Sequence, residues 1–500
     1  MKHTYMIRTA AALLSCLTLA GLISCGGDTT DNPPVTENTA PEAVTEAETA
    51  PMDSLEARKL VSDDVPDMDF GGKDFRIFYQ KRYTTDAVSP DGKESGDVLN
   101  DAVYRRNVAM EERFNVKIVG IEGEEDAMVS TMMKSVAAGD DTCELFLGHT
   151  ALSGKAALSG YFRNWYEIPY IDFEKPWFPQ STIEQLRIND RMYMAMSDMC
   201  IAFASNTYCV YYNKAMLANY DITNIYDLVR EGKWTIDALA NISKELYQDL
   251  NGSGTADKGD QFGFGSPYSS HCATWPSACA VPTVEFHEDG TVTSVMASER
   301  AATMTEKLRE LYGVNVGSYL HVSTGASEDE MEVEFMNGNI GFITNGLILA
   351  ETVLRDVTFD YGIIPYPKLD EAQESYYTVP GGSVSCFATP VTAADTELVG
   401  ALSAAMSRES WVSVLPTYYD IVLKVKGARD EASIEMLDII SDSRAVSTAY
   451  MYDSFSGYHF KMADLFKGKK ELASFTKSND KSIIKHYEKV IALFYSDDNA

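Results

Sequence analysis

Phe75-Arg76-Ile77-Phe78 is a short apolar run, and it predicts a buried β-strand. Four further elements follow it along the chain: a helix over Asp97–Asn115, a strand over Val116–Ile121, a helix over Met128–Ala138 and a strand over Glu144–Leu147. An alternation of this kind is typical of a parallel sheet with right-handed helical crossovers. The sequence therefore predicts an α/β fold that begins near residue 70.

The ends of these strands and a second α/β pattern indicate where a ligand binds. Ligands on parallel sheets bind beyond the carboxyl ends of the strands, which points to Tyr79–Tyr83 and Gly148–Thr150. The pattern restarts with a strand over Tyr208–Tyr212, a helix over Thr235–Leu246 and a strand over Gly341–Ile343. Two α/β lobes are the simplest interpretation of this repeat of the pattern.

The first residues have the features of an export signal. Lys2 and Arg8 precede an apolar stretch over residues 10–23, which ends in Leu22-Ile23-Ser24-Cys25. This segment resembles the bacterial lipoprotein signal, in which the cysteine is acylated and becomes the new N-terminus. We expect residues 1–24 to be the signal peptide and Cys25 the lipidated residue. An ordinary secretory peptide with a chance cysteine, or an uncleaved anchor, are the alternatives.

The segment after the signal is poor in large apolar residues. Residues 25–67 are rich in Thr, Glu, Pro and Asp. Such a segment cannot bury enough apolar surface to offset the entropy of ordering it. We therefore expect a disordered tether between the lipid anchor and the folded body, at the extracellular face of the bacterial cytoplasmic membrane.

Composition excludes several classes of partner. The net charge of −32 repels phosphate backbones, so nucleic acid is not an expected partner. No apolar run after residue 24 approaches the ~20 residues of a membrane span, so membrane contact is expected through the lipid anchor alone. The body has six cysteines, which either pair as disulfides in an oxidising compartment or act as small buried apolar residues. The sequence leaves these two possibilities open.

The segment 249–260 has the spacing of a calcium-binding loop. It follows the predicted helix over Thr235–Leu246, as in an EF-hand, although the residues after it favour a strand rather than an exit helix. A polar turn between helix and strand is the alternative. We expect a structural Ca²⁺ ion bound by oxygen atoms of Asp249, Asn251, Ser253, Thr255 (through its backbone), Asp257 and Asp260.

Four motifs, in order along the chain, resemble those of extracellular solute-binding proteins of the sugar ABC-transporter type. The motifs are Val210-Tyr211-Tyr212-Asn213-Lys214, Gly232-Lys233-Trp234-Thr235, the run from Phe335 to Phe342, and the run from Asp360 to Lys368. Each motif alone is weak, but their order and spacing agree with the family over roughly residues 70–500. Within that family the chain resembles maltose-binding-type proteins.

The resemblance implies a two-lobed, type II periplasmic-binding-protein-like fold in which the chain crosses between lobes two or three times. We expect crossings near Ala195–Ser205, near Gly381–Cys386 and soon after Trp411. These crossings assign residues 68–200 and about 387–412 to the N-terminal lobe. They assign residues 201–386 and about 413–500 to the C-terminal lobe. Gly381-Gly382 is interpreted either as a hinge or as an ordinary turn after Pro380.

The resemblance also implies a function and a set of ligand-binding residues. The expected protein captures a mono- or oligosaccharide between its lobes, delivers it to ABC permease subunits, and acts as a monomer without catalysis. Aromatic faces and polar side chains that bind hydroxyls are the groups such a site needs. The candidates are Tyr79, Arg82, His149, Asp198, Tyr268, Trp275, Asn345, Tyr450 and Tyr452. Asn345 departs from the aromatic residue that the family commonly has at this place.

Other functions remain possible on the sequence alone. A secreted glycosidase would need two carboxylates across a cleft, and among 74 acidic residues such a pair can exist. However, the chain contains no GxSxG, HExxH or P-loop spacing. A binding protein for peptide or another polar solute is the remaining alternative. The sequence names neither the sugar nor the permease.

Overall fold

The computed structural model describes residues 55–89, 92–125, 127–254, 256–267, 270–312, 318–320, 328–424, 431–466, 468 and 470–495. These residues belong to one compact unit that spans Ala50–Ala500. The strands, numbered in chain order, are β1 (Lys73–Gln80), β2 (Val116–Gly123), β3 (Leu145–His149), β4 (Tyr208–Asn213), β5 (Phe262–Ser266), β6 (Val284–Phe286), β7 (Val292–Ser294), β8 (Ser318–Leu320), β9 (Ile340–Gly346), β10 (Tyr361–Ile364) and β11 (Ser385–Ala388).

The first lobe is built on a sheet with the strand order β11-β3-β1-β2. Strands β1, β2 and β3 are mutually parallel, and β11 joins the edge antiparallel to β3. The parallel arrangement predicted for residues 75–147 is therefore confirmed. The crossover helices are Val98–Phe114, which Asp97 caps through the Asn100 N–H, and Met128–Ala138.

The second lobe contains a mixed sheet with the strand order β10-β4-β9-β5-β8. Strands β9, β5 and β8 run parallel to one another, whereas β4 is antiparallel to both β9 and β10. Buried side chains fill most strands of both sheets, as expected for sheets covered by helices on their faces, whereas the edge strand β2 is largely half-buried or exposed. The two α/β lobes predicted from the sequence are thus present.

Helices cover both sheets and connect their strands. The α-helices besides the two named above are Leu55–Leu60, Thr84–Ala87, Thr150–Leu158, Gln180–Leu186, Ile201–Ser205, Lys214–Ala218, Ile225–Arg230, Ile236–Leu246, Ser270–Ala278, Glu299–Leu311, Glu328–Met336, Ile348–Glu351, Thr396–Glu409, Leu415–Lys424, Glu431–Asp442, Thr448–Met451, Met462–Phe466 and Leu472–Tyr495. Short 3₁₀ turns lie at Lys81–Tyr83, Trp165–Glu167, Leu354–Asp356 and His459–Lys461, and a π turn lies at Ser410–Val414.

The chain passes between the lobes in three places. The first passage runs from Ala195, which bridges to Phe387 in β11, to Tyr208 at the start of β4. The second returns beside it, since Pro380 bridges to Thr207 and β11 begins at residue 385. The third is helical and continuous through the π turn Ser410–Val414. We call residues 195–208, 380–385 and 410–414 the hinge.

A buried arginine ties the hinge together. Arg106, 1% exposed, donates to the carbonyl of Met199 (3.3 Å) and to Oγ of Ser410 (3.0 Å), and so binds two of the passages. It also donates to Asn107 Oδ1 and to the carbonyls of Asp86 and Ala87. All five N–H donors of the guanidinium are therefore used. Oδ1 of Asp86 accepts from the Ala202 N–H at 2.7 Å, which attaches the first passage a second time.

The two glycines in the second passage, Gly381 and Gly382, allow neighbouring side chains to pack closely against the backbone. Neither Gly381 nor Gly382 has a positive φ. A Cβ on Gly381 would lie 2.9 Å from Oη of Tyr208, and one on Gly382 would lie 2.8 Å from the ring of Phe460. Both glycines are needed because two aromatic side chains approach the backbone here.

The C-terminal segment, residues 448–495, differs from its predicted assignment to the second lobe alone. It packs against Thr150–Leu158 in the first lobe and against Ser270–Ala278 and Glu299–Leu311 in the second. Tyr193 of the first lobe also packs its ring on Phe494, with centroids 5.5 Å apart. The segment therefore contacts both lobes, because its apolar side chains find partners on each.

The predicted tether ends earlier than residue 67. Residues 55–60 form a helix, and Asp63 makes an ion pair with Arg113 at 2.6 Å. Val65 is 6% exposed and belongs to the core. Packing and an ion pair thus hold residues that composition alone would leave disordered. Residues 1–54, which include the expected signal peptide and Cys25, lie outside the described residues.

The six cysteines of the body are buried free thiols: Cys143, Cys200, Cys209, Cys272, Cys279 and Cys386. Of the two possibilities that the sequence left open, the structure has the one without disulfides. Within the ranges described, we find no helix with the length and apolarity needed to cross a membrane.

Candidate functional site

A cleft of about 700 Å³ lies between the two lobes. Arg82 follows β1, His149 ends β3, and Asn345 lies at the end of β9, so the carboxyl ends of strands from both sheets open into it. The hinge forms part of its lining through Asn206, Tyr208, Gly381, Gly382 and Ser383. The C-terminal segment adds Phe455, Phe460 and Ala463. The cleft is therefore lined by both lobes, by the hinge between them and by the C-terminal segment.

The first lobe gives the cleft a charged rim. The carboxylate of Glu125 lies at ion-pair distance from two neighbours there: Oε2 is 3.6 Å from Arg82 Nη1, and Oε1 is 3.7 Å from His149 Nε2. The side chain of Arg82 is 57% exposed, whereas that of His149 is 10% exposed. This rim can donate hydrogen bonds from the guanidinium and accept them at the carboxylate, with little net charge.

The second lobe gives an amide and a carboxylate. Nδ2 of Asn345 donates to Glu332 Oε1 at 2.9 Å, and its Oδ1 accepts from the Gly346 N–H at 2.7 Å. Tyr208 stands beside them and is stacked on His271, with ring centroids 4.0 Å apart. Burial lowers the pKa of His271 to about 3, so this imidazole supports Tyr208 as a neutral ring.

Aromatic rings of the C-terminal segment form a row that ends in the cleft. Phe455 is 51% exposed, and its ring lies 4.6 Å from that of Phe460. Phe460 stacks on Tyr450 at 5.7 Å, and the Tyr450 hydroxyl donates to the carbonyl of Pro380 in the hinge. The row therefore connects an exposed ring to the hinge.

The backbone under Phe455 is strained. Ser454 has a φ of 48° and Phe455 a φ of 59°, both in the left-handed region that bulky residues avoid. A conformation of this kind costs about 1–3 kcal/mol and persists only where the surroundings hold it. Here it points an apolar ring toward solvent in a cleft, which identifies Phe455 as a candidate functional residue.

Three of the residues predicted from the sequence line the cleft together: Arg82, His149 and Asn345. Their positions were predictable because they follow strand ends. Tyr268, and with it the predicted stacking on that ring, lies outside the described residues.

The other predicted aromatic residues lie in the core. Tyr79 is paired in register within the first sheet, and Tyr452 packs on Phe494 with centroids 5.7 Å apart. Trp275 is 0% exposed, donates from Nε1 to the Tyr312 hydroxyl and packs on Tyr366. Tyr450 is buried behind Phe460. None of these four rings lines the cleft, so the structure does not place them where a ligand in the cleft would contact them.

Asp198 has a structural partner. Its Oδ1 accepts from Nη2 of Arg444 at 2.9 Å, and both side chains are buried, 3% and 6% exposed. Burial raises the pKa of Asp198, while the Arg444 charge opposes that rise. The expectation that Asp198 binds sugar hydroxyls is wrong for this structure, because the carboxylate is enclosed in the hinge.

Phe455, Phe460, Tyr208 and Glu332 are cleft residues that the sequence did not reveal. The segment around Phe455 is rich in aromatic residues, so no pattern in the sequence singles out the ring that reaches the cleft. For Tyr208 and Glu332 we likewise find no signal in the sequence.

The predicted calcium loop brings several oxygen atoms into one turn. Asp249 accepts from the N–H groups of Gly252, Ser253 and Gly254. Asn251 and Ser253 both donate to the carboxylate of Asp257, at 2.5 and 2.7 Å. Asp260 is 1% exposed and accepts from the Tyr247 hydroxyl and the Leu250 N–H.

The loop is therefore closed by its own hydrogen bonds. Nowhere in the described part of the chain do three or more His, Cys, Asp or Glu side chains form a group suited to a metal ion. Thr255, the predicted backbone ligand, lies outside the described residues. The oxygen atoms of Asp249, Asn251, Ser253 and Asp257 suit calcium chemically, whereas Asp260 closes the loop from within.

Comparison with known proteins gives a family and a fold. Residues 108–407 match the family model of bacterial extracellular solute-binding proteins. Among curated protein sequences, none matches this chain. Similar solved structures cover most of the chain at low sequence identity.

Three of these structures show the range of the similarity. The ABC substrate-binding protein Lmo0181 from Listeria monocytogenes, in complex with cycloalternan, has a TM-score of 0.54 at 13% identity and covers 83% of this chain and 99% of its own. A cyclo/maltodextrin-binding protein complexed with maltotetraose has a TM-score of 0.55 at 12% identity and covers 83% and 97%. UgpB from Mycobacterium tuberculosis, in complex with glycerophosphocholine, has a TM-score of 0.50 at 15% identity and covers 84% and 99%. The predicted two-lobed, periplasmic-binding-protein-like fold is thereby confirmed.

Proposed function

Because the chain belongs to the bacterial extracellular solute-binding protein family, we propose that it captures a carbohydrate in the cleft between its lobes and delivers it to the permease of an ABC importer. The observation that supports this most is the exposed, strained ring of Phe455, which lies in a cleft whose other lining includes Arg82, Glu332 and Asn345. Sugars bind by packing C–H faces on aromatic rings while hydroxyls bond to charged and amide groups.

Closure of the lobes is the proposed mechanism. A ligand in the cleft contacts both lobes at once only in the closed form, so it shifts the equilibrium by its difference in affinity for the two forms. The passages at residues 195–208, 380–385 and 410–414 are the parts that change shape. A protein of this kind binds without catalysis, in agreement with its family.

The export signal supports a location outside the cytoplasmic membrane. We propose that Cys25 is lipidated and that residues 26–54 separate the lipid from the folded body, where the protein acts as a monomer. Labelling with a radioactive fatty acid tests this, since Cys25→Ala must abolish the label. A label that persists in the variant would contradict the assignment.

Thermal unfolding of residues 26–500 against a panel of solutes tests the cargo. A ligand at about 100 Kd raises the free energy of unfolding by about 2.7 kcal/mol, which a melting curve resolves. The panel contains maltose, maltotetraose, raffinose and cellotetraose, with glycerophosphocholine and a tetrapeptide as non-sugar comparisons. Stabilisation by one glycan class without its turnover supports the proposal. Stabilisation by a non-sugar alone would mean that the cargo is not a carbohydrate. Release of shorter sugars would indicate a glycosidase.

We propose in addition that the loop at residues 249–260 binds a structural calcium ion. The gathering of Asp249, Asn251, Ser253 and Asp257 in one turn supports the proposal, and a cation would take the place of the donors now bonded to Asp257. We expect calcium to raise the melting temperature and Asp249→Asn to remove that rise. Asp140→Asn, at an exposed site elsewhere, is the control. Equal melting temperatures with calcium and with chelator would make the loop a simple turn.

A further inference from the structure

A second cavity, of about 480 Å³, lies between the lobes behind the C-terminal segment. Residues of all three parts of the chain line it: Ser181, Glu184 and Gln185 from the first lobe, residues 276–286 from the second, and residues 445–449 with His459. It shares no lining residue with the cleft. We call it the back cavity. Clefts that bind small molecules begin at ~300 Å³, so its size suits a ligand.

Two buried polar atoms in the lining of the back cavity make no hydrogen bond. Oγ1 of Thr283 and Nδ1 of His459 have no such partner, although the two residues are only 1% and 2% exposed. The nearest charged atom to His459 Nδ1 is Oδ2 of Asp453, at 3.7 Å. Buried polar groups are almost always bonded, so two exceptions in one cavity need an explanation. A ligand hydroxyl can satisfy a group of either kind, since it donates and accepts.

The remaining lining indicates the class of ligand. Hydroxyls of Ser181, Ser277 and Thr448 and the amide of Gln185 lie around walls formed by Pro276, Val281 and Val284. Among the described residues that line the cavity, Glu184 is acidic and none is a lysine or arginine. An anion would find no opposite charge here. The groups present suit an uncharged molecule with several hydroxyls and an apolar face.

The back cavity and the cleft have a common wall. His459 lines the back cavity and its neighbour in sequence, Phe460, lines the cleft. The ring of Tyr450 packs against both, with centroids 5.4 Å from His459 and 5.7 Å from Phe460. The side chains of His459 and Tyr450 therefore separate a molecule that bonds to His459 from the ring of Phe460 in the cleft.

We propose that the back cavity is a second ligand site, which binds an uncharged polyol of mono- or disaccharide size between the lobes. This site has lining residues distinct from those of the cargo site, whichever solute the cleft binds. Because its walls come from both lobes, occupancy differs in free energy between open and closed forms, and the two sites are coupled reciprocally.

The test is a titration of residues 26–500, labelled on Leu and Val methyl groups, followed by NMR. Val281 and Val284 report on the back cavity, and Leu349 and Val353 report on the cleft. The probes are glucose, glucosamine and gluconate, which are neutral, cationic and anionic respectively. We expect glucose to shift the Val281 and Val284 signals to saturation and gluconate to leave them unchanged. The proposal would be overturned if the Val281 and Val284 signals shifted with neither glucose nor maltose, or if they shifted with gluconate alone.

Two variants separate binding from folding. Thr283→Val removes the hydroxyl and keeps the shape of the side chain. We expect the affinity of the back cavity for glucose to fall about 2- to 10-fold, while the melting temperature stays the same or rises. Thr305→Val is the matched control, because the Thr305 hydroxyl is also buried but is bonded to the Ala301 carbonyl. Unchanged affinity in Thr283→Val, or an equal loss in Thr305→Val, would contradict the site.

Ser277→Trp fills the cavity and provides a second readout. We expect it to abolish the response of Val281 and Val284 and to leave the cleft signals of Leu349 and Val353 able to respond to maltotetraose. Failure of the proposed cargo would instead silence the cleft signals in the native chain, with the back cavity unaffected. The two failures are thus distinguishable. A full response of Val281 and Val284 in the filled variant would place the ligand elsewhere.

Discussion

The hinge and the cleft use similar residues in opposite ways. Two arginines bond to the hinge: Arg106 is 1% exposed with all its donors bonded, and Arg444 is enclosed with Asp198. In the cleft, Arg82 and Phe455 are both more than half exposed. An arginine beside a carboxylate therefore holds the fold in one region and is available to a ligand in the other. Burial, rather than residue type, separates the two roles.

The comparison predicts that hinge variants change stability and cleft variants change binding. The largest effect is expected at the buried ion pair. Arg444→Met leaves the Asp198 carboxylate buried without its partner, which should lower the free energy of unfolding by about 3–5 kcal/mol in urea titrations. The double variant with Asp198→Asn should recover much of that loss. A loss below about 1 kcal/mol would mean that the pair behaves as a surface pair does.

The next effect is expected from Asp86, and it depends on pH, with an upper limit of about 4 kcal/mol over the whole shift. Burial raises the pKa of Asp86 from 3.8 to about 7, against the opposing hydrogen bond from the Ala202 N–H. Since the folded pKa is the higher one, the stabilising contribution of the neutral form is fully present below about pH 4 and is lost as the pH rises through 7. Asp86→Asn keeps a neutral side chain and should remove this dependence.

Urea titrations over the same pH range measure the difference. The stability of Asp86→Asn relative to the native chain should rise with pH by at most about 1.4 kcal/mol for each unit between pH 4 and 7. Asp140→Asn, an exposed change, is the control. Parallel pH profiles for the native chain and Asp86→Asn would show that Asp86 is charged in the fold throughout.

The smallest effect on stability is expected in the cleft. Phe455→Ala removes an exposed ring, so the free energy of unfolding should change by less than about 0.5 kcal/mol. Affinity for the sugar found in the panel should fall about 2- to 10-fold, since stacking contributes about 0.5–1.5 kcal/mol. Tyr495→Ala, an exposed ring away from the cleft, should leave affinity unchanged. A large loss of stability with unchanged affinity would make Phe455 a hinge residue instead.

Strand ends were the predictable part of the site. The strands at residues 75–78 and 144–147 are evident from short apolar runs, and the polar residues after them, Arg82 and His149, line the cleft. Asn345, which also follows a predicted strand, was implied by the family resemblance. Local patterns suffice here because the direction of a parallel strand determines which edge of the sheet its end reaches.

Aromatic residues were the unpredictable part. Trp275 and Tyr452 are buried, while Phe455, three residues after Tyr452, is exposed in the cleft. The sequence indicated that the segment 449–457 could face the cleft but not which ring does so. That choice depends on the left-handed backbone at Ser454 and Phe455 and on the lobe surfaces that hold it.

The amino-acid sequence by itself determined the two α/β lobes, their passages and the strand ends that line the cleft, because periodicity and chain order are local properties. Tertiary structure alone decided that Asp198 pairs with Arg444, that the six cysteines are buried free thiols and that Phe455 reaches the cleft. Each of these depends on contacts between residues far apart along the chain. Burial and pairing arise only when both lobes are packed, so no local pattern in the sequence contains them.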